Sequence, residues 1–69
     1  MDENIKIIKE NIRLERLRKG LSQDKMANLL QISQNAYSKI ESGKTTLTII
    51  RLHQIAKVLE IPFEKLFLG

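Results

Sequence analysis

From Ser33 to Ser42 the chain reads Ser-Gln-Asn-Ala-Tyr-Ser-Lys-Ile-Glu-Ser. At 100° per residue this segment has two chemically distinct sides. Ala36, Tyr37 and Ile40 gather on one, which should face a core, and Gln34, Asn35, Ser38, Lys39 and Ser42 cover the other. An ordinary solvated helix would carry Glu/Lys pairs on its outer side. This one carries short amides and hydroxyls with one ammonium, the groups that pair with base edges: Gln or Asn bidentately with adenine, Lys with guanine O6 and N7. A plain solvated face is the competing reading. Tyr37 lies on the inward arc with Ile40 and is expected in the core, although its hydroxyl could reach a phosphate from the edge.

Other chemistry finds little support. The chain has no cysteine and a single histidine, His53, which excludes a disulfide framework, thiolate zinc and a histidine cluster. His53 is expected on the surface of a helix. Glu10, Glu15, Glu60 and Glu64 read as solvated helix charges rather than catalytic pairs. Neither a glycine-rich phosphate loop nor a nucleophile beside a base is visible, so the expectation is no catalysis, no metal and no cofactor.

The polar face must be held by neighbouring elements, and the turn residues mark them. Helix 1 is expected from about Asn4 to Lys19, with Ile5, Ile8 and Ile12 facing the core, Ile7 and Leu14 on a second stripe, and Gly20 as its stop. Ser22 is an N-cap signal for a short second helix to about Leu30, in which Met26, Ala27, Leu29 and Leu30 share a face. After Gln31-Ile32, Ser33 caps the third helix and Gly43 closes it. Thr48 caps a fourth, with Ile49, Leu52, Ile55, Ala56 and Leu59 as its core stripe and Ile50 pointing away. Pro62 can open a last turn that folds Phe63, Leu66 and Phe67 back as a lid.

These signals add up to one all-α domain over residues 1–69. A chain of 69 residues buries only about 60% of the surface it exposes when unfolded, which leaves room for one core and no second lobe. Hydrophobic residues at 42% and charged residues at 29% suit a folded globule. The net charge of +4 is concentrated in the middle, where residues 6–57 hold eleven basic and four acidic side chains. Such a bias attracts polyanions, nucleic acid first. The start of the chain has neither a signal-peptide pattern nor an apolar run long enough to span a bilayer, so a cytoplasmic location is expected.

Two short helices joined by a three-residue turn, the second polar outside, have the layout of a helix-turn-helix, with its core at about 22–42. The residues carry a more specific likeness. Gly20-Leu21-Ser22-Gln23, Met26-Ala27, Ile32-Ser33-Gln34, Tyr37-Ser38-Lys39-Ile40-Glu41-Ser42-Gly43-Lys44 and Leu52-His53-Gln54-Ile55-Ala56-Lys57-Val58-Leu59 closely resemble the phage repressor and Cro-type (XRE) helix-turn-helix family, from about Ile12 to Leu66.

The resemblance implies a compact five-helix, lambda-repressor-like domain that binds double-stranded DNA, usually as a homodimer on a near-palindromic operator. It places Gln34, Asn35 and Lys39 at positions that read major-groove bases, with Ser33 and Ser38 nearby as phosphate or base partners. It places Gln23 where a glutamine bonds a phosphate and braces the recognition helix, and Lys44 and Thr45 on a loop along the DNA backbone. Arg16 and Glu41 match a structural salt bridge. Leu47 and Ile50 depart from the family pattern near a face some relatives use to dimerise, and are therefore possible dimer contacts. The function implied is a sequence-specific transcriptional regulator, expected to be a repressor. The same fold also serves as an antitoxin or as an adaptor for a partner protein such as a toxin. Arg13, Arg18, Lys19, Lys25 and Lys44 are candidates for sequence-independent attraction to phosphates.

Overall fold

Hydroxyl residues start three of the helices. Ser22, Ser33 and Thr48 each accept a hydrogen bond at 3.0 Å from the backbone N–H three residues on, at Lys25, Ala36 and Arg51 respectively. In the computed structural model residues 2–68 are described. Among them the chain forms α1 (Asp2–Arg18), α2 (Gln23–Leu30), α3 (Gln34–Ser42), α4 (Ile49–Leu59) and a closing 3₁₀ helix (Phe63–Phe67), with no strand. The expected elements are all present, although α1 begins and ends slightly earlier than expected.

The helix ends share one device. Gly20, Gln31, Gly43 and Glu60 all have φ between 59° and 77°, the left-handed region. The next residue's N–H then reaches back to a carbonyl five positions earlier: Leu21 to Arg16, Ile32 to Ala27, Lys44 to Lys39 and Ile61 to Ala56, at 3.0–3.1 Å. Leu21, Ile32 and Ile61 also tuck their side chains against the core. Glycine marked two of these stops in the sequence. At Gln31 and Glu60 that apolar anchor and the paired carbonyls offset a conformation costing about 1–2 kcal/mol for a residue with a Cβ.

Ile12, Met26, Tyr37, Ile55, Leu59 and Leu66 form the fully buried centre. α2 and α3 pack on each other and α1 lies across α3 and the 3₁₀ helix, while α4 backs α2. The Asn11 amide ties the tail down by donating to Leu66 O at 2.9 Å and Leu68 O at 2.7 Å.

Several expected burials are corrected. Ile5 and Ile49 are exposed, because they stand at the rim of an open groove of about 550 Å³ whose floor includes Ile8, Leu47 and Leu52. Phe67 lines that groove too and is only partly covered, so the lid consists of buried Leu66 and half-buried Phe63. Leu29 is exposed beside Gln54 and Val58, where α2 and α4 diverge. Ala36 is exposed, since α3 packs on α1 and α2 and leaves its flank toward the following loop open. Glu15 is buried, at 8% exposure, because tertiary folding brings Lys65 to within 3.7 Å of a carboxylate already 3.1 Å from Arg18.

Candidate nucleic-acid interface

The inner side of α3 is a closed polar network. Tyr37 is fully buried and its hydroxyl donates to Glu41 Oε2, one turn later on the same helix. The Arg16 guanidinium, from α1, donates to both carboxylate oxygens of Glu41, at 2.6 and 3.2 Å. Its remaining arm donates to Leu21 O at 2.7 Å, the carbonyl that leads into α2. Gln23, in the first turn of α2, donates its amide N–H to Glu41 Oε1 at 3.1 Å. One carboxylate thus ties α1, α2 and α3 together.

Burial by itself would push the Glu41 carboxyl up, but hydrogen bonds from Arg16, Tyr37 and Gln23 outweigh it and hold the group below its ordinary value. The hydrogen bond to Glu41 strengthens the hold of Arg16 on its proton. Desolvation, followed by the Glu41 hydrogen bond, raises the Tyr37 hydroxyl, so Tyr37 is a neutral donor. The Arg16 and Glu41 side chains are only 10% and 5% exposed.

The outer side is the reverse. Gln34, Asn35 and Lys39 are exposed, and none of their side chains has a hydrogen-bond or ion-pair partner among the described residues. Ser33 is occupied as the N-cap of α3, and Ser38 lies half-buried on the flank. Lys44 and Thr45 are exposed just beyond the Gly43 stop. Lys9 of α1 reaches the C-terminal carbonyl of Ser42 at 3.5 Å, where a cation complements the helix dipole.

Ion pairing sorts the cations. Arg13, Arg18 and Lys19 lie within 4 Å of Glu10, Glu15 and Glu60, and Lys65 lies near Glu15. Lys25, Lys39 and Lys44 have no acidic partner among the described residues, and neither do Lys6, Lys9, Arg51 and Lys57, so uncompensated charge lies on the two-helix unit and the loop after it but also on α1 and α4. A helix whose outer face carries two amides and an ammonium, with its one carboxylate turned inward, is suited to a polyanion that presents hydrogen-bonding edges.

Leu47 is half-buried against the core, whereas Ile50 is 73% exposed beside Ile49 at 61%. Some features had no clear signal in the sequence. Ala36 belongs to the open side of α3, and His53, exposed as expected, stacks on Phe63 with ring centroids 3.7 Å apart. Arg51 is half-buried beside the loop that follows α3. No metal-binding group of three or more His, Cys, Asp or Glu side chains occurs among the described residues, and none of their helices is long and apolar enough to cross a membrane.

Comparison with known families finds one match, to a helix-turn-helix family, over residues 12–66. No curated protein and no solved structure matches the chain.

Proposed function

The chain belongs to the XRE-type helix-turn-helix family of DNA-binding transcription regulators, and from that premise we propose that it is a cytoplasmic repressor that seats α3 in the major groove as a homodimer. The observation that carries this reading is the unpartnered row Gln34, Asn35 and Lys39 on a helix whose other side is fully satisfied. The family is one of DNA-binding domains rather than enzymes. In this reading Gln34 and Asn35 pair with adenine edges and Lys39 with guanine, with Ser38 beside them. Gln23, Ser33, Lys44 and Thr45 hold the phosphate backbone and set the register.

A single module offers one recognition helix, so specificity calls for two copies about 34 Å apart along a near-palindromic site. The body measures 28 × 23 × 20 Å, which supports two touching copies reaching that spacing. Ile50, with Ile49 and the edge of Leu47, supplies the seam. Sedimentation of Ile50→Glu beside the parent tests it. Weakened self-association is expected, and an unchanged association constant removes Ile50 from the interface.

Fluorescence anisotropy against the DNA upstream of the gene and a scrambled duplex of equal length, each across a salt series, tests the repressor reading. At least ~10³-fold preference for the native sequence, persisting at physiological salt, is the expected result. Equal, weak binding to both duplexes, confined to low salt, would refute it. The apolar rim of Ile5, Ile49 and Phe67 would then point to a protein partner, as in an antitoxin or adaptor.

A further inference from the structure

The first turn of α3 exposes three consecutive side chains, Gln34, Asn35 and Ala36, before Tyr37 turns inward. Two are amides and the third is a bare methyl group. The Ala36 backbone N–H is held by Ser33 Oγ at 3.0 Å, and alanine has no side-chain torsion, so the position of this methyl is fixed by the helix cap. Beside it runs a shallow groove of about 220 Å³, in which Ile32, Ile40 and Leu47 supply apolar surface, Thr45 to Thr48 line the edge, and Arg51 stands at one side. The groove mixes these carbons with threonine hydroxyls and the Arg51 guanidinium, but water against the Ala36 methyl itself finds no partner, so an apolar group presented to that methyl gains by displacing it.

Major-groove base edges offer one apolar group, the C5-methyl of thymine. We propose that Ala36 is a specificity-determining residue that selects thymine in the operator, by packing its methyl against the thymine C5-methyl. The proposal rests on α3 entering the major groove and adds the base identity at one position of each half-site. The amides of Gln34 and Asn35 read neighbouring pairs by hydrogen bonding, whereas Ala36 reads by contact alone. Its discrimination is therefore against a missing methyl rather than against a misplaced donor. Cytosine methylated at C5 carries the same group at the same place and should be partly accepted there.

The test begins with selection of preferred duplexes from a random library by the full chain, followed by replacement of each selected thymine with deoxyuridine, one at a time. One thymine per half-site should lose about four-fold in affinity on removal of its methyl, the factor expected for burying one such group. In Ala36→Gly that position should bind thymine and uracil equally. Ala36→Ser, which retains a Cβ and the helix more readily, should reduce the preference too, with thermal unfolding of both variants followed in parallel. Uracil tolerated at every position by the parent chain, or an undiminished thymine preference in both variants, overturns the role of Ala36 while leaving readout by Gln34, Asn35 and Lys39 standing. A library that returns no preferred sequence overturns that readout and the role of Ala36 with it.

Discussion

On one side of α3, the Glu41 carboxylate accepts hydrogen bonds from Tyr37, Arg16 and Gln23 inside the protein. On the other side, less than a helix diameter away, Gln34, Asn35 and Lys39 have none among the described residues. The residue types overlap: an amide, a charge and a hydroxyl occur on each side. The difference lies in desolvation. A polar group withdrawn from water must be paired or it costs about 1–3 kcal/mol, so Tyr37, Arg16 and Glu41 are committed to the fold. The outer ones keep their hydrogen-bonding capacity for water or a ligand. In the proposed reading, stability and recognition fall on opposite sides of a nine-residue helix.

That division can be broken from either side. The largest effect is expected from Glu41→Ala, which leaves the Arg16 guanidinium buried without its counter-ion and should cost about 3–5 kcal/mol in urea unfolding. A loss below about 1 kcal/mol would show that water replaces the carboxylate and that the inner network is not a structural unit. Next is Gln34→Ala combined with Lys39→Ala. It should reduce specific DNA affinity by about 10²-fold or more, from a loss of roughly 1–3 kcal/mol per readout contact. The melting temperature should hardly move, since neither side chain has a partner to lose. Normal operator binding by this variant would contradict the division from the recognition side.

A smaller effect comes from pH. The Glu41 carboxyl is held below its ordinary value of 4.5, so the folded state binds its proton more weakly than the unfolded chain does. The stability this contributes is present above pH 4.5 and is lost as the pH falls through the folded value. Protonation leaves a carboxyl that still bonds, so the loss should be less than in Glu41→Ala. Melting temperatures recorded from pH 7 to pH 3 should therefore fall less steeply in Glu41→Gln than in the parent. Parallel curves would place the acid sensitivity elsewhere, with the exposed carboxylates.

Much of this arrangement was legible in local patterns. The caps Ser22, Ser33 and Thr48, and the stops Gly20 and Gly43, sit at helix ends as expected, because each acts on a backbone group within a few residues of itself. Burial of Tyr37 and exposure of Gln34, Asn35 and Lys39 followed from helical periodicity. Periodicity failed at the margins of each stripe. Ala36, Leu29, Ile5 and Ile49 lie on faces that another element covers only in part, and a helical wheel carries no information about where that cover ends.

The polar network shows the same limit. Nothing near Glu15 in the chain distinguishes it from the solvated Glu10, yet a lysine fifty residues away helps to bury it. Pairing of Arg16 with Glu41 was implied by resemblance rather than read from spacing, since the residues lie 25 positions apart on different helices.

Short-range chemistry, acting through backbone capping and the 3.6-residue repeat, was sufficient for where helices begin, where they stop and which side turns inward. Which inward polar groups find each other, which cations remain uncompensated and how far the apolar cover extends depended on the packing of α1 and α2 on α3 and of α4 behind α2. Those are distances across the fold, and a one-dimensional pattern does not encode them until the core has closed.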